Sequence, residues 1–125
     1  RRNCWEALPE MLEHRRFAVG VAIGRRLCVA GGEGGEDGEV VLSSAERYDP
    51  LLGAWEALAH MGAHRFGAAG AAVRGRLCVC GGSVGLDALK CAECFGPEAG
   101  GWEQLPEMRE GRVGGGVRAL QAARR

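Results

Sequence analysis

Leu27-Cys28-Val29-Ala30-Gly31-Gly32 and Leu77-Cys78-Val79-Cys80-Gly81-Gly82 repeat one pattern at a spacing of fifty residues. The match extends outward in both directions. A small, apolar run precedes each copy, at 18–23 and 67–73. Beyond a loop come Ala45-Glu46-Arg47-Tyr48-Asp49-Pro50 and Ala92-Glu93-Cys94-Phe95-Gly96-Pro97. Trp5, Trp55 and Trp102 follow at spacings of 50 and 47, and aligning them superposes Leu8, Leu58 and Leu105, then Met11, Met61 and Met108. Ten residues past each Trp stands Arg15, Arg65 or Arg112. The second unit is three residues shorter, and the difference falls in the loop after the diglycine, 33–42 against 83–89. Length variation confined to a loop is what a packed repeat tolerates.

Each unit divides into four short runs bounded by Gly, Pro or Asp: 18–23, 26–30, 44–48 and 54–58, then 67–73, 76–80, 91–95 and 101–105. Runs of this length and punctuation predict strands. Four strands per period of about fifty residues is the pattern of a propeller blade. The first run of each unit is Gly- and Ala-rich, including Gly114-Gly115-Gly116 in a third unit. Such a strand suits the crowded centre where blades converge and large side chains would overpack. Trp and Tyr or Phe are placed to fill the wedge between neighbouring blades.

The set as a whole, a small-residue strand, then Leu-Cys-Val-Ala-Gly-Gly, then Glu-Arg-Tyr-Asp-Pro, then Trp55-Glu56-Ala57-Leu58, resembles the kelch repeat. The resemblance implies an all-β fold: a partial kelch β-propeller of about two complete four-stranded blades plus flanking single strands. Its expected divisions are 1–12, the last strand of an incomplete blade; 13–60 and 61–107, two blades; and 108–125, a further first strand and tail. The second unit departs from the pattern where Cys94, Phe95 and Gly96 replace Arg47, Tyr48 and Asp49. A looser turn after that third strand is expected, because the capping carboxylate is gone. A propeller needs at least four blades, so two open blade faces are expected. At ~25 cal/mol/Å², a face hiding on the order of 500 Å² would forfeit roughly 12 kcal/mol on exposure. The isolated fragment is therefore expected to self-associate.

Composition excludes several functions. Sixteen basic residues balance sixteen acidic ones, so no surplus of positive charge favours a phosphate backbone and no nucleic-acid partner is expected. No apolar run approaches ~20 residues, so no membrane span is expected, and no segment reads as a signal peptide. Of the six cysteines, Cys4, Cys28, Cys78, Cys80, Cys91 and Cys94, only Cys91 and Cys94 have zinc-knuckle spacing. Three residues apart on one strand, those two point to opposite faces. Cys28 and Cys78 share a repeat position, as small buried residues do. Structural thiols are the expectation, ahead of a metal site or disulfides, and they imply a reducing, cytoplasmic location. No metal and no cofactor is expected.

No catalytic residue is expected either. Ser occurs only at 43, 44 and 83, none in a sharp nucleophile turn, and Thr is absent. The glycines of 31–38 lack the phosphate-loop Lys and are joined by Glu33, Glu36 and Asp37, which would repel phosphate. A copper-radical oxidase on a kelch-like propeller needs Tyr and His ligands near the channel, and Tyr48, the single Tyr, closes a third strand instead.

The resemblance implies a protein-interaction module gripping a protein or peptide with one loop face. Mapped onto this chain, the loops after the second strands supply Glu33, Glu36, Asp37, Val84, Leu86 and Asp87. The inter-blade loops supply Glu13, His14, Arg15, His64, Arg65, Phe66 and Arg112. The repeated Arg has two readings at this point: a pair with Glu46 or Glu93 within a blade, or a fork onto a ligand carboxylate. Many kelch propellers are substrate receptors of cullin-RING ubiquitin ligases through a BTB domain, which this sequence does not contain. The alternative is a structural or actin-binding scaffold.

Overall fold

The computed structural model describes residues 4–96, 98 and 100–111. Among them lie twelve strands and no helix. The first unit holds β1 (Val19–Ile23), β2 (Arg26–Ala30), β3 (Glu33–Gly34), β4 (Val40–Val41), β5 (Ala45–Asp49) and β6 (Ala54–Leu58). The second holds β7 (Ala69–Val73), β8 (Arg76–Cys80), β9 (Ser83–Val84), β10 (Asp87–Ala88), β11 (Ala92–Gly96) and β12 (Gly101–Leu105). β1-β2-β5-β6 form one four-stranded antiparallel sheet, and β7-β8-β11-β12 form its repeat. These are the two expected blades. The loop after each diglycine adds a minor hairpin, β3-β4 or β9-β10.

Local chemistry sets the strand ends. Pairing of Ile23 with Arg26 and of Val73 with Arg76 leaves two-residue turns. Arg74 and Gly75 both take positive φ, 53° and 74°, as the tight hairpin matching strand twist requires. The first strands start later than the apolar runs suggest. Phe17 and Gly67 have φ of 59° and 67°, which breaks the extended conformation just before the ladder begins. After β5 the Asp49 carboxylate accepts from Leu51 N at 2.9 Å. Its repeat counterpart Gly96 has no side chain to make such a cap, and among the described residues its carbonyl accepts from Gly100 N at 2.8 Å. The turn after β11 thus lacks the side-chain tie, as expected.

The core lies between the blades. Val19, Cys28, Ala30, Ala45 and Met61 meet Leu77, Val79 and Phe95 in one buried cluster. A Cβ added to Gly70 would stand 2.3 Å from Val19 Cγ1, so the central strands approach too closely for any side chain there. Tyr48 packs on Trp55, and Phe95 on Trp102, each with ring centroids 5.5 Å apart. Both indoles reach the linker entering their blade. Trp55 Nε1 donates to Pro9 O and Trp102 Nε1 to Ala59 O, each at 2.8 Å. Burial in this core pushes the Cys28 thiol above its ordinary pKa, with Arg47 and Arg26 pulling the other way.

Alternate residues of β8 face away from blade 1. Cys78 and Cys80 join Ala69, Ala92, Cys94 and Met108 in a second cluster. Here the expectation of structural thiols fails for Cys78 and Cys94, which are joined by a disulfide, while it holds for the buried Cys28. They stand directly opposite on adjacent antiparallel strands, where blade 1 places Cys28 opposite Arg47. Spacing along one strand does not tell which residues meet across a ladder. With that bridge, thiol chemistry no longer argues for a reducing compartment.

A last strand was expected within 1–12, and the described residues 4–12 form no ladder. The first strand expected within 108–125, with its Gly114-Gly115-Gly116, lies outside the described residues.

Candidate ligand-binding face

Two sets of loops meet because of the diglycine. Gly31 and Gly32 have φ of 68° and 99°. A Cβ on Gly31 would lie 2.4 Å from Arg65 O, and one on Gly32 2.7 Å from Arg16 O. The backbone of each linker therefore crosses the end of a second strand at contact distance, which only glycine allows. Gly32 N donates to Arg65 O at 2.8 Å, and Arg16 and Glu33 exchange two backbone bonds of 3.0 and 2.7 Å. Phe66 and Ser83 repeat that bridge in blade 2. The inter-blade loops and the loops after the second strands thus share one face.

Of the predicted residues, Arg15 and Arg65 do not reach that face. Both side chains are 1 % exposed, and each is locked to a carboxylate of its own blade. Arg15 Nε and Nη2 donate to Glu46 Oε2 at 3.1 and 2.9 Å, and Nη1 donates to Gly31 O and Ser44 O, both 3.0 Å. Arg65 Nη2 donates to Glu93 Oε2 at 2.7 Å, and Nη1 to Gly81 O and Cys91 O at 2.8 and 3.0 Å. The second oxygen of each carboxylate holds the incoming linker, through Leu12 N or Gly62 N, each 2.7 Å away. The repeated Arg is thus a buried clamp that fastens linker, second strand and third strand together. A buried guanidinium that already has a carboxylate is not offered to a ligand.

The other predicted residues separate into exposed and tied groups. Glu13, His14, Glu36, Asp37, His64, Val84, Leu86 and Asp87 are exposed. Leu86 is fully so, at 104 %. Glu33 is tied to Arg16 at 3.0 Å, Glu13 accepts from the Ser44 hydroxyl, and His64 Nδ1 lies 2.9 Å from Val41 O. Phe66 is half-buried. Arg112 lies outside the described residues. Glu13, His14, Gly35 and Glu36 line an open cleft of about 520 Å³. Its carboxylates and imidazole suit a cationic group.

Arg16 and Phe17 complete the face and were not anticipated. Arg16 spans from Glu33 to Asp37 O, 3.3 Å from its Nη2, and its guanidinium carbon stands 5.7 Å from the centre of the exposed Phe17 ring. The available signal was the alignment of Phe17 with Gly67, a large residue at a glycine position.

Cys91 and Cys94 do point apart: Cys91 Sγ accepts from Arg65 Nη2 at 3.3 Å, while Cys94 is in the disulfide. No group of three His, Cys, Asp or Glu side chains among the described residues is placed to hold a metal ion.

No curated protein matches the chain. The solved structure of YjhT superposes with a TM-score of 0.72 at 17 % identity, covering 84 % of this chain and 36 % of that one. The chain therefore shares that fold while spanning little more than a third of its length. The kelch motif matches residues 14–62 and again 64–109, nearly the two units read from the sequence, and the chain belongs to the kelch-repeat family.

Proposed function

We propose that this chain is a non-catalytic protein-interaction module whose loop face takes a segment of a partner protein. The observation that carries the reading is the cleft between Glu13, His14, Gly35 and Glu36, built from both loop sets and rimmed by exposed charge. Ser43 Oγ lies 3.0 Å from His60 Nδ1, the pairing a nucleophile would need. That hydroxyl belongs to a buried residue in the loop before β5, outside the cleft, and serves as a structural bond. A narrower proposal rests on family resemblance alone: the parent protein works as a substrate receptor of a cullin-RING ligase, with BTB supplied elsewhere.

Arg15 and Arg65 are unsuitable probes of the face, since changing them breaks a buried ion pair. The exposed acids are better. Capture of partners from extract by the wild-type chain, compared with Glu36→Gln/Asp37→Asn, tests the reading. Exposed charges steer encounter and act through a screened field. Specific partners are therefore expected to be depleted in the variant and released by salt. An identical partner set for both chains at all salt concentrations would sink it.

A further inference from the structure

Phe17 and Gly67 hold one place in the repeat, the linker residue two positions before the first strand. Both have left-handed backbone, φ 59° and 67°. Glycine adopts that region freely, whereas a bulky aromatic residue adopts it only at a cost in free energy. Burial does not offset the cost, because the Phe17 side chain is 63 % exposed. The residue is nonetheless tied in place through its backbone. Phe17 O accepts from Gly67 N at 2.9 Å, which ties its backbone to the next linker. Arg16 lies over the ring and is itself fastened to Glu33 at 3.0 Å. A strained, exposed aromatic residue whose backbone is tied and whose ring meets a cation does little for folding and is set out for contact.

We propose that Phe17 is the apolar anchor of the ligand face, and that the segment it binds sets an aliphatic or aromatic side chain beside Lys or Arg. The charge requirement comes from the adjoining loop. Residues 33–41 carry Glu33, Glu36, Asp37 and Glu39 and no basic residue, and Arg16 offsets only one of the four. An acidic partner would meet like charge there, while a cationic one is drawn in. The anchor supplies contact area at low entropic cost, and the acidic loop supplies orientation. This inference rests on the proposed interaction function and adds the class of its ligand.

The test pans the 125-residue chain against a phage-displayed library of random dodecapeptides, then measures the enriched peptides on variants. Expected are sequences pairing Lys or Arg with an apolar side chain. Their affinity falls roughly tenfold or more on Phe17→Gly and survives in Phe17→Trp, the range expected of a buried anchor. The thermal midpoint of Phe17→Gly stays level with wild type or rises, since glycine relieves the backbone. No enrichment over an unrelated control protein overturns the interaction function itself. Enriched peptides that bind Phe17→Gly as well as wild type, or that are acidic, overturn only the anchor and its ligand class. A lowered midpoint for Phe17→Gly also overturns the anchor, by showing that the ring stabilises the fold.

Discussion

Arg15 and Arg65 are repeats of one another that use their guanidinium groups differently. Arg15 turns its Nε and Nη2 edge to one oxygen of Glu46, whereas Arg65 gives Glu93 only Nη2 and leaves Nε buried without an acceptor. Glu93 Oε1 is taken by Gly62 N and by Gln104 Nε2, 3.2 Å away, so it has nothing further for Arg65. Removing a partner from such a pair costs more than the pair itself contributes, because the remaining charge is buried alone. Glu93→Ala is expected to destabilise the chain by about 3–5 kcal/mol, read as a lowered urea midpoint at unchanged slope. A double change of Arg65 to Met and Glu93 to Leu removes both charges and should recover most of that loss. A double variant as unstable as the single one would show that geometry, not charge, holds the linker. From sequence, the pair with Glu46 or Glu93 was one of two readings of the repeated Arg, and the structure bears that one out for Arg15 and Arg65. Spacing gives a residue's place in the repeat, not the direction in which its side chain turns.

At the scale of strands, the sequence was legible wherever turn chemistry punctuates it. Gly24, Gly53, Gly75 and Gly100 all have positive φ, and each sits in a turn between two of the predicted runs. The disulfide was not legible, since it depends on register. Residues 78 and 94 face each other only once β8 and β11 pair with Leu77 opposite Phe95. The clue lay in the repeat itself: Cys28 faces Arg47 in blade 1, so the change of that Arg to Cys94 in the second unit creates the pair. The bridge closes a loop with a sequence separation of 16. On the chain-entropy account, a loop of that size is worth about 3 kcal/mol. A reductant is therefore expected to lower the stability of the chain by about that amount, and Cys94→Ser to make it insensitive to reductant. Non-reducing peptide mapping should recover one linked pair, 78 with 94. Equal stability with and without reductant, or peptides linked otherwise, would contradict this assignment.

At the scale of the whole molecule, the described residues form two blades packed on each other, and the repeat provides an internal control. Leu27 and Leu77 occupy the same position, yet Leu77 is 2 % exposed beneath blade 1 while Leu27 is 37 % exposed. Gly20 likewise meets only Val29 Cγ1 at 4.0 Å where its counterpart Gly70 is filled by Val19. The outer face of blade 1 is thus shaped like the covered face of blade 2 and is left open by the described residues. Leu77→Ala should cost about 2–5 kcal/mol, as a buried leucine does, and Leu27→Ala under about 1 kcal/mol. An apolar sheet face without a partner also draws copies together. The purified chain is expected to scatter more light as its concentration rises, and Leu27→Lys to suppress that rise by placing a charge on the open face. Equal costs at the two leucines would mean that something covers the outer face after all. A monodisperse monomer at high concentration, unaltered by Leu27→Lys, would show that the open face does not cause association.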